Sequence, residues 1–365
     1  MTGAHAALVH CLDHGLTFAA FAHGMDRHLW VQRSPALRHI PWNELDTAEE
    51  LFIAMPFTGS MHGAWGLIPD VRLRLDDDLD PAELHSCHGP AAFTGDTPPG
   101  WDEPGYTAAI TAAKRAIEQG RLEKVVLSHV LTDPFPSARV PELFLNAIRD
   151  MPQAFVCLLN APQLGTWLGA SPERLVFADG GTITTDSLAG TLPTAEAPDM
   201  AEQWPDKEQH EQDVVTRHIM DGLTRARLVE IKPGRTHVHR AGPVAHLRTT
   251  IEGRSGSSRL SEVVRVLHPT PAVCGTPTDA ALEFIDTHEP HDRGLYTGSW
   301  GPWRVGGRTQ QFVNLRCMRL FPGIASLFVG GGITRRSDPA REWAETAEKA
   351  RTWRRPMAAL QGRVS

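Results

Sequence analysis

Three charged residues near the C-terminus have the spacing of one helical face. Glu342, Glu345 and Lys349 stand three and then four positions apart, so an α-helix would present their side chains on the same side. The Ser-Asp-Pro run at 337–339 predicts the start of that helix, with an N-cap residue before an early proline. Two carboxylates and an ammonium group on one face are suited to a metal ion and an anionic substrate, although ordinary surface helices also show this spacing.

A run of three glycines precedes this helix. Residues 327–329 are apolar and predict a buried strand, after which Gly330, Gly331 and Gly332 predict a loop. Because glycine has no Cβ, such a loop can bring backbone N–H groups close to an anion. Taken alone, the run indicates no more than a turn.

Lys124 and Glu173 stand at the ends of predicted strands. The β-branched run at 123–131 predicts a strand, and alternation places Lys124 and Val126 on one face. Another strand, 166–170, runs into Ser-Pro-Glu and places Glu173 at a turn beside small residues. Lys124 could serve as a base and Glu173 as an acid. The simpler alternatives are a lysine that reaches the sheet edge and an ordinary turn carboxylate.

The remaining segments predict alternating strands and helices, which favours an α+β fold with a large, mainly antiparallel sheet system. Residues 76–100 predict a linker, 187–191 a tight turn of small residues and 268–277 a rigid non-helical segment. The predicted strands are 16–22, 29–32, 51–57, 65–69, 154–159, 182–185 and 311–320. The predicted helices are 106–119, 141–151, 206–223, 260–267 and 280–286.

Composition narrows the class of protein. The 365 residues carry a net charge of -7 without a basic run, which argues against nucleic-acid binding. No apolar run has the length of a membrane span, and the N-terminus lacks the pattern of a signal peptide. Five scattered cysteines form no CxxC pair, so we expect free thiols in a reducing cytoplasm.

Eight blocks in one order resemble a known family, the chorismate-utilising enzymes. They cover roughly residues 105–355, and such a series at consistent spacing is far more specific than any single block. The blocks are KVVLS (124–128), GASPERL (169–175), LAGT (188–191), Lys207 with Glu211, LHPTPAVCGTP (267–277), EPHDRGLYTG (289–298), NLRCM (314–318) and GGGI with SDP and EW..ET..K (330–349).

Within this family the chain resembles the isochorismate synthase branch. LHPTPAVCG has the form of that branch, and Pro277 is followed by Thr278 where the other branches carry a lysine. Lys124 matches a lysine of the hydroxylating members. The chain departs from the family pattern at His129, which replaces an arginine, and at Gly331, which replaces an alanine. It also lacks the common Arg-Gly after Leu192.

The resemblance implies a fold and a reaction. The fold is a single α+β domain with two mainly antiparallel sheets packed between helices, of which residues 1–100 form a weakly matching β-rich part and 101–365 the catalytic region. The reaction is the conversion of chorismate to isochorismate, for menaquinone, siderophore or other secondary metabolism. Water adds at C2 with Lys124 as base, and the C4 hydroxyl leaves with Glu173 as acid. Each group needs a pKa shifted toward neutrality by burial.

The resemblance also implies the ligands. Glu211 and Glu345, assisted by Glu342, would bind Mg²⁺, which prefers oxygen ligands. The predicted substrate-binding residues are Gly190, Thr191, His268, Thr270, Arg316, Gly331, Gly332 and Lys349.

Three alternatives stay open. A salicylate synthase would also eliminate pyruvate. A catalytically dead member would only bind chorismate or a partner, but it would need neither acid nor base. An ammonia-using member is disfavoured because the chain carries no glutamine amidotransferase domain.

Overall fold

Two antiparallel sheets organise the chain. The computed structural model describes residues 3–58, 63–77, 79–89, 95–241 and 244–362. The strands are β1 (Thr17–His23), β2 (Asp26–Gln32), β3 (Arg38–Ile40), β4 (Leu51–Met55), β5 (Ala64–Leu67), β6 (Val71–Arg74), β7 (Lys124–Pro134), β8 (Phe155–Ala161), β9 (Gly165–Ser171), β10 (Arg174–Asp179), β11 (Thr182–Pro193), β12 (Val229–Pro233), β13 (His237–Ala241), β14 (Val244–Arg254), β15 (Gly275–Thr276), β16 (Ser299–Trp303), β17 (Thr309–Val313), β18 (Cys317–Phe321) and β19 (Ile324–Ile333).

Eight α-helices in the described residues cover these sheets. They are α1 (Gly3–Asp13), α2 (Trp42–Leu45), α3 (Glu103–Glu118), α4 (Val140–Asp150), α5 (Asp206–Arg225), α6 (Leu260–Leu267), α7 (Thr278–His288) and α8 (Pro339–Gln361). No described helix combines the length and the apolar character that crossing a membrane requires.

The strand order places sequence neighbours and distant segments side by side. The first sheet has the order β15-β7-β19-β18-β9-β8-β1-β2-β6. The second has the order β12-β14-β11-β10-β17-β16-β4-β5-β3, with β13 also paired to β14. The paired strands are antiparallel throughout the described residues. Strands from the first hundred residues therefore join both sheets.

The two sheets pack face to face through an aromatic core. Alternation along β1 sends Ala19 and Phe21 into this core, which also contains Phe52 and Trp300 of the second sheet. Phe18 on the opposite face of β1 packs in a separate cluster with α1, α4 and α8. Helices α5 and α6 cover the outer face of the second sheet. The predicted α+β fold with two sheets between helices is confirmed.

Two predicted local structures are wrong. The turn predicted at 187–191 is the continuation of β11, which runs unbroken to Pro193. A shift in the pairing register between Ala189 and Thr191 identifies a bulge, and Gly190 adopts φ +62° there. The strand predicted at 311–320 is two strands, β17 in the second sheet and β18 in the first. Small and polar residues indicate a break in regularity, but the sequence does not tell a bulge or a crossing between sheets from a turn.

The glycine run is also part of a strand rather than a loop. Gly330, Gly331 and Gly332 lie in β19 and pair with Ser128, Leu127 and Val126 of β7. The closeness of β7 explains the glycine at position 330, because a Cβ at Gly330 would stand 2.8 Å from the Leu127 carbonyl oxygen. The predicted helix after the run is confirmed as α8, and Asp338 caps it by accepting a hydrogen bond from the Arg341 N–H at 3.0 Å.

Candidate active site

One cavity gathers most of the predicted site residues. It has a volume of about 210 Å³ and lies where β7 and β19 approach β11, β14, α5 and α8. Nine of the thirteen predicted positions line it, so the fold unites residues that are more than 200 positions apart. These nine are Lys124, Glu173, Thr191, Glu211, Arg316, Gly332, Glu342, Glu345 and Lys349.

Lys124 and Glu211 form an ion pair across the cavity. The lysine is the first residue of β7, the glutamate lies on α5, and Nζ stands 2.6 Å from Oε1. Burial acts to raise the pKa of Glu211, but the Lys124 ammonium, with Lys207 and Lys349 nearby, holds this pKa below its ordinary value. The ion pair thus joins the β7 and α5 walls of the cavity.

Glu173 differs from Glu211 in that its surroundings raise the pKa of its carboxyl instead of lowering it. It is only 4% exposed, between β9 and β10. Burial and, to a smaller extent, the nearby Asp186 raise the pKa of this carboxyl to about 8, against the opposing effects of Lys124 and Arg248. A carboxyl group with this pKa is mostly protonated at neutral pH. The direction of the shift is the one that a general acid requires.

Hydrogen bonds fix the turn that carries Glu173. Its N–H donates to Ser171 Oγ at 3.2 Å, and its carbonyl accepts from the Val313 N–H at 3.0 Å. The Ser171 hydroxyl in turn donates to the Val313 carbonyl. The backbone of β17 therefore holds Glu173 from both sides, which makes its position in the cavity a property of the second sheet.

The predicted charged face of α8, formed by Glu342, Glu345 and Lys349, lines the cavity. Lys349 Nζ stands 2.7 Å from Glu345 Oε1 and donates to the Gly330 carbonyl at 2.6 Å. Burial raises the pKa of Glu342, a hydrogen bond from Ser337 opposes this, and the Glu345 carboxylate raises it again. Glu342 therefore lies in a desolvated part of the cavity with a second carboxylate nearby.

Arg316 lines the cavity from the corner between β17 and β18. It adopts φ +47°, and its carbonyl accepts from Trp353 Nε1 at 2.6 Å. Its guanidinium contacts Thr352 Oγ1 at 3.3 Å. Burial lowers the pKa of Arg316, against the opposing effect of Tyr296, but arginine remains cationic in proteins. The corner thus presents a positive charge to the cavity.

Of the two glycines of β19 predicted to bind substrate, Gly332 lines the cavity, whereas Gly331 does not and Gly330 lines it instead. The N–H of Ser128 donates to Glu289 and that of Val126 to Cys274, so both point away from β19. Antiparallel alternation then directs the polar groups of Gly331 toward β7 and those of Gly330 and Gly332 toward the cavity. Gly330 and Gly332 line the cavity and Gly331 does not.

The other predicted positions divide into lining and supporting residues. Thr191 lines the cavity, and its Oγ1 stands 3.1 Å from Nδ1 of His246. Gly190 lies outside the lining, in the bulge that packs on the backbone of α5. His268 and Thr270 are buried outside the lining as well. The Thr270 carbonyl accepts hydrogen bonds from two N–H groups in the segment that places Val273 in the cavity.

Five polar lining residues were not predicted as site residues. They are Lys207, Glu208, His246, Tyr296 and Thr297. Lys207, Tyr296 and Thr297 fall within the matching blocks and could have been found there. Glu208 stands three positions before Glu211 on the same helix. His246 carries no local signal. Burial, with Arg316 and Lys349 nearby, lowers its pKa to about 3 and leaves it neutral.

The chemistry of the lining suits a hard cation. Helix α5 contributes Glu208 and Glu211 and helix α8 contributes Glu342 and Glu345, all to the same cavity. Within the described residues, no three His, Cys, Asp or Glu side chains are arranged to hold a metal ion by themselves. Mg²⁺ nevertheless fits this donor set, because it typically uses one or two carboxylates together with waters and substrate.

The sequence assigns the chain to a family of chorismate-binding enzymes. Residues 72–355 match the family described as chorismate binding enzyme, and the chain belongs to this family. A solved isochorismate synthase, MenF from Escherichia coli, covers 93% of this chain and is itself covered to 88%, with a TM-score of 0.77 and 24% identity. This likeness confirms the family fold.

Named relatives are mainly isochorismate synthases. The chain is 33% identical over 267 residues to the salicylate biosynthesis isochorismate synthase of Pseudomonas aeruginosa, an alignment that covers 70% of this chain but 55% of the relative. It is 32% identical to the isochorismate synthase DhbC of Bacillus subtilis, covering 69% and 67%. It is also 32% identical to anthranilate synthase component 1 of Streptomyces coelicolor, covering 73% and 57%. The alignment thus spans little more than half of the Pseudomonas and Streptomyces proteins.

Proposed function

We propose that this protein is a Mg²⁺-dependent isochorismate synthase. The observation that carries the proposal is the placement of Glu173, a buried carboxyl with a pKa of about 8, in the same cavity as Lys124. The names of the Pseudomonas and Bacillus relatives support it. Chorismate supplies the matching chemistry, because its isomerisation needs one proton removed and one delivered.

The two groups divide the proton transfers. Lys124 first leaves its ion pair with Glu211 and loses its ammonium proton to solvent, and it then takes a proton from water as the new C2–O bond forms. The ring double bonds shift, the C4–O bond breaks, and Glu173 gives its proton to the departing hydroxyl. One water enters and one leaves, so the product is an isomer of the substrate. Lys124 ends protonated and Glu173 ionised, and proton exchange with solvent resets both.

The remaining charges would bind the two substrate carboxylates. Arg316 and Lys349 provide cations, and Gly330 and Gly332 provide backbone N–H groups. Glu211 and Glu345, with Glu342, would hold the Mg²⁺. When bound, the ion supplies positive charge beside a substrate carboxylate.

The test is product analysis with purified protein. We expect chorismate and Mg²⁺ to yield isochorismate on chromatography, without stoichiometric pyruvate. Formation of salicylate with pyruvate would replace the proposal by a salicylate synthase. Anthranilate formed with ammonium salts would indicate an anthranilate synthase. Binding of chorismate by calorimetry without any product would identify a catalytically dead member.

A further inference from the structure

A second cavity lies behind Arg316. Its volume is about 580 Å³, and the two cavities share only Pro172 and Arg316 among their described lining residues. The second cavity is enclosed by the C-terminal end of α4, the turn after it, the end of β9, β13 and α8. Its size suits a small organic molecule rather than a few waters.

One part of this cavity is apolar. Ala147 of α4 and Ala170 of β9 line it and are buried. Met151, Ala154 and Pro356 continue the apolar lining. A flat ring could pack there, since small side chains leave room and expose only carbon atoms.

The other part of the cavity is strongly basic. Four arginines line it, against a single carboxylate, that of Asp150. Both oxygens of Asp150 accept hydrogen bonds from Arg149, which does not line the cavity. Asp150 therefore offers little compensation to the four cations. They are Arg240, Arg316, Arg351 and Arg355.

Two of these arginines form no ion pair with a described carboxylate. Arg240 is paired with Asp199 at 2.6 Å and Arg351 with Glu348 at 3.0 Å. Among the described residues, Arg316 donates a hydrogen bond to the Thr352 hydroxyl but has no acidic partner, and Arg355 has no acidic partner either. An uncompensated and partly buried guanidinium such as that of Arg316 favours an anion beside it.

We propose that the second cavity binds a small carboxylic acid that carries an apolar ring. The carboxylate faces Arg316 and Arg355, and the ring packs on Ala147, Ala154 and Ala170. If Arg316 also binds substrate, as the proposed function requires, this ligand competes for its guanidinium and weakens substrate binding. Binding to the second cavity itself does not depend on that function.

The test uses benzoate as the probe and calorimetry without chorismate. We expect one saturable site in the wild-type protein. Arg355→Glu should weaken binding by about tenfold or more, because it replaces a charge-assisted contact with repulsion. Ala154→Phe fills the apolar part and should abolish binding. Arg115→Glu is the matched control, since Arg115 is exposed on α3, lines neither cavity and changes the net charge equally.

Circular dichroism and thermal melting verify that each variant folds. If one of the two cavity variants fails to fold, the other is used alone. Absence of saturable benzoate binding overturns the proposal. So does binding that survives every correctly folded cavity variant, and its loss in Lys349→Ala would assign the benzoate to the first cavity. Product analysis with chorismate is independent of these results. Failure of the proposed function and failure of this inference are therefore distinguishable.

Discussion

Replacing Glu173 by glutamine separates catalysis from stability. The change removes the ionisable proton and barely alters the shape of the side chain. Burial raises the pKa from 4.5 to about 8. At pH 7 roughly 90% of such a carboxyl is protonated, compared with about 0.3% for an ordinary one. Because glutamine cannot donate the proton, we expect turnover to fall about 10²–10⁴-fold.

The same pKa shift means that Glu173 destabilises the folded state at neutral pH. The unfolded chain ionises this carboxyl near pH 4.5, but the folded protein holds the proton until about pH 8. The free energy of unfolding therefore falls as pH rises between these values, because the folded state binds more protons. Integrated to pH 7, the loss is roughly 3 kcal/mol. Glu173→Gln should regain up to this amount at pH 7 and almost nothing near pH 4.

Denaturant unfolding at pH 4 and pH 7 and turnover between pH 6 and pH 9 form the assay. Wild-type turnover should decline as pH rises through about 8, because the acid form of Glu173 is lost. Glu118→Gln is the control, since Glu118 is exposed on α3. A Glu173→Gln variant that is less stable than the wild type at pH 7 would refute the stability argument. One with near wild-type turnover would refute the acid role.

Three further predictions concern the base, the metal and acid stability. Gly332→Ala places a Cβ 2.7 Å from Lys124 Cε. Kinetic assays should therefore show at least about a tenfold loss of turnover, with little change in melting temperature. An unchanged rate would contradict the claim that catalysis depends on the position of Lys124. EDTA should abolish activity and Mg²⁺ restore it, and Glu211→Ala or Glu345→Ala should each remove most activity, whereas full activity of either would return that residue to a surface role. Burial lowers the pKa of His129 to about 4 from 6.5, so melting temperature should drop as pH falls from 6.5 toward 4, and less steeply in His129→Gln.

Local patterns predicted the charged positions well. The spacing of Glu342, Glu345 and Lys349 depends only on helical periodicity, and Asp338 and Pro339 mark the start of that helix by local capping chemistry. Such features involve neighbours within a few positions of the chain. The sequence therefore contains all the information they need.

Features set by distant contacts were not predictable in the same way. The glycines of β19 look like a loop until β7 is placed beside them. Arg316 stands where the chain crosses from the second sheet to the first. The sequence does not show this crossing, because the apolar alternation over 311–320 predicts one continuous strand. The pKa of Glu173 depends on its burial between strands and on Asp186, Lys124 and Arg248, which come from three other strands. Only the assembled sheets bring these charges together.

The strand order separates two properties that protein engineers often need to change independently. Strands β1, β2 and β6 lie at one end of the first sheet, and β3, β4 and β5 lie at the corresponding end of the second. The cavity lies at the other end of each sheet, beside β7, β11 and β14. Substitutions in residues 17–74 should therefore change how much folded enzyme a cell accumulates without changing the rate per folded molecule. Libraries for expression yield and libraries for substrate range can be confined to different halves of the same two sheets.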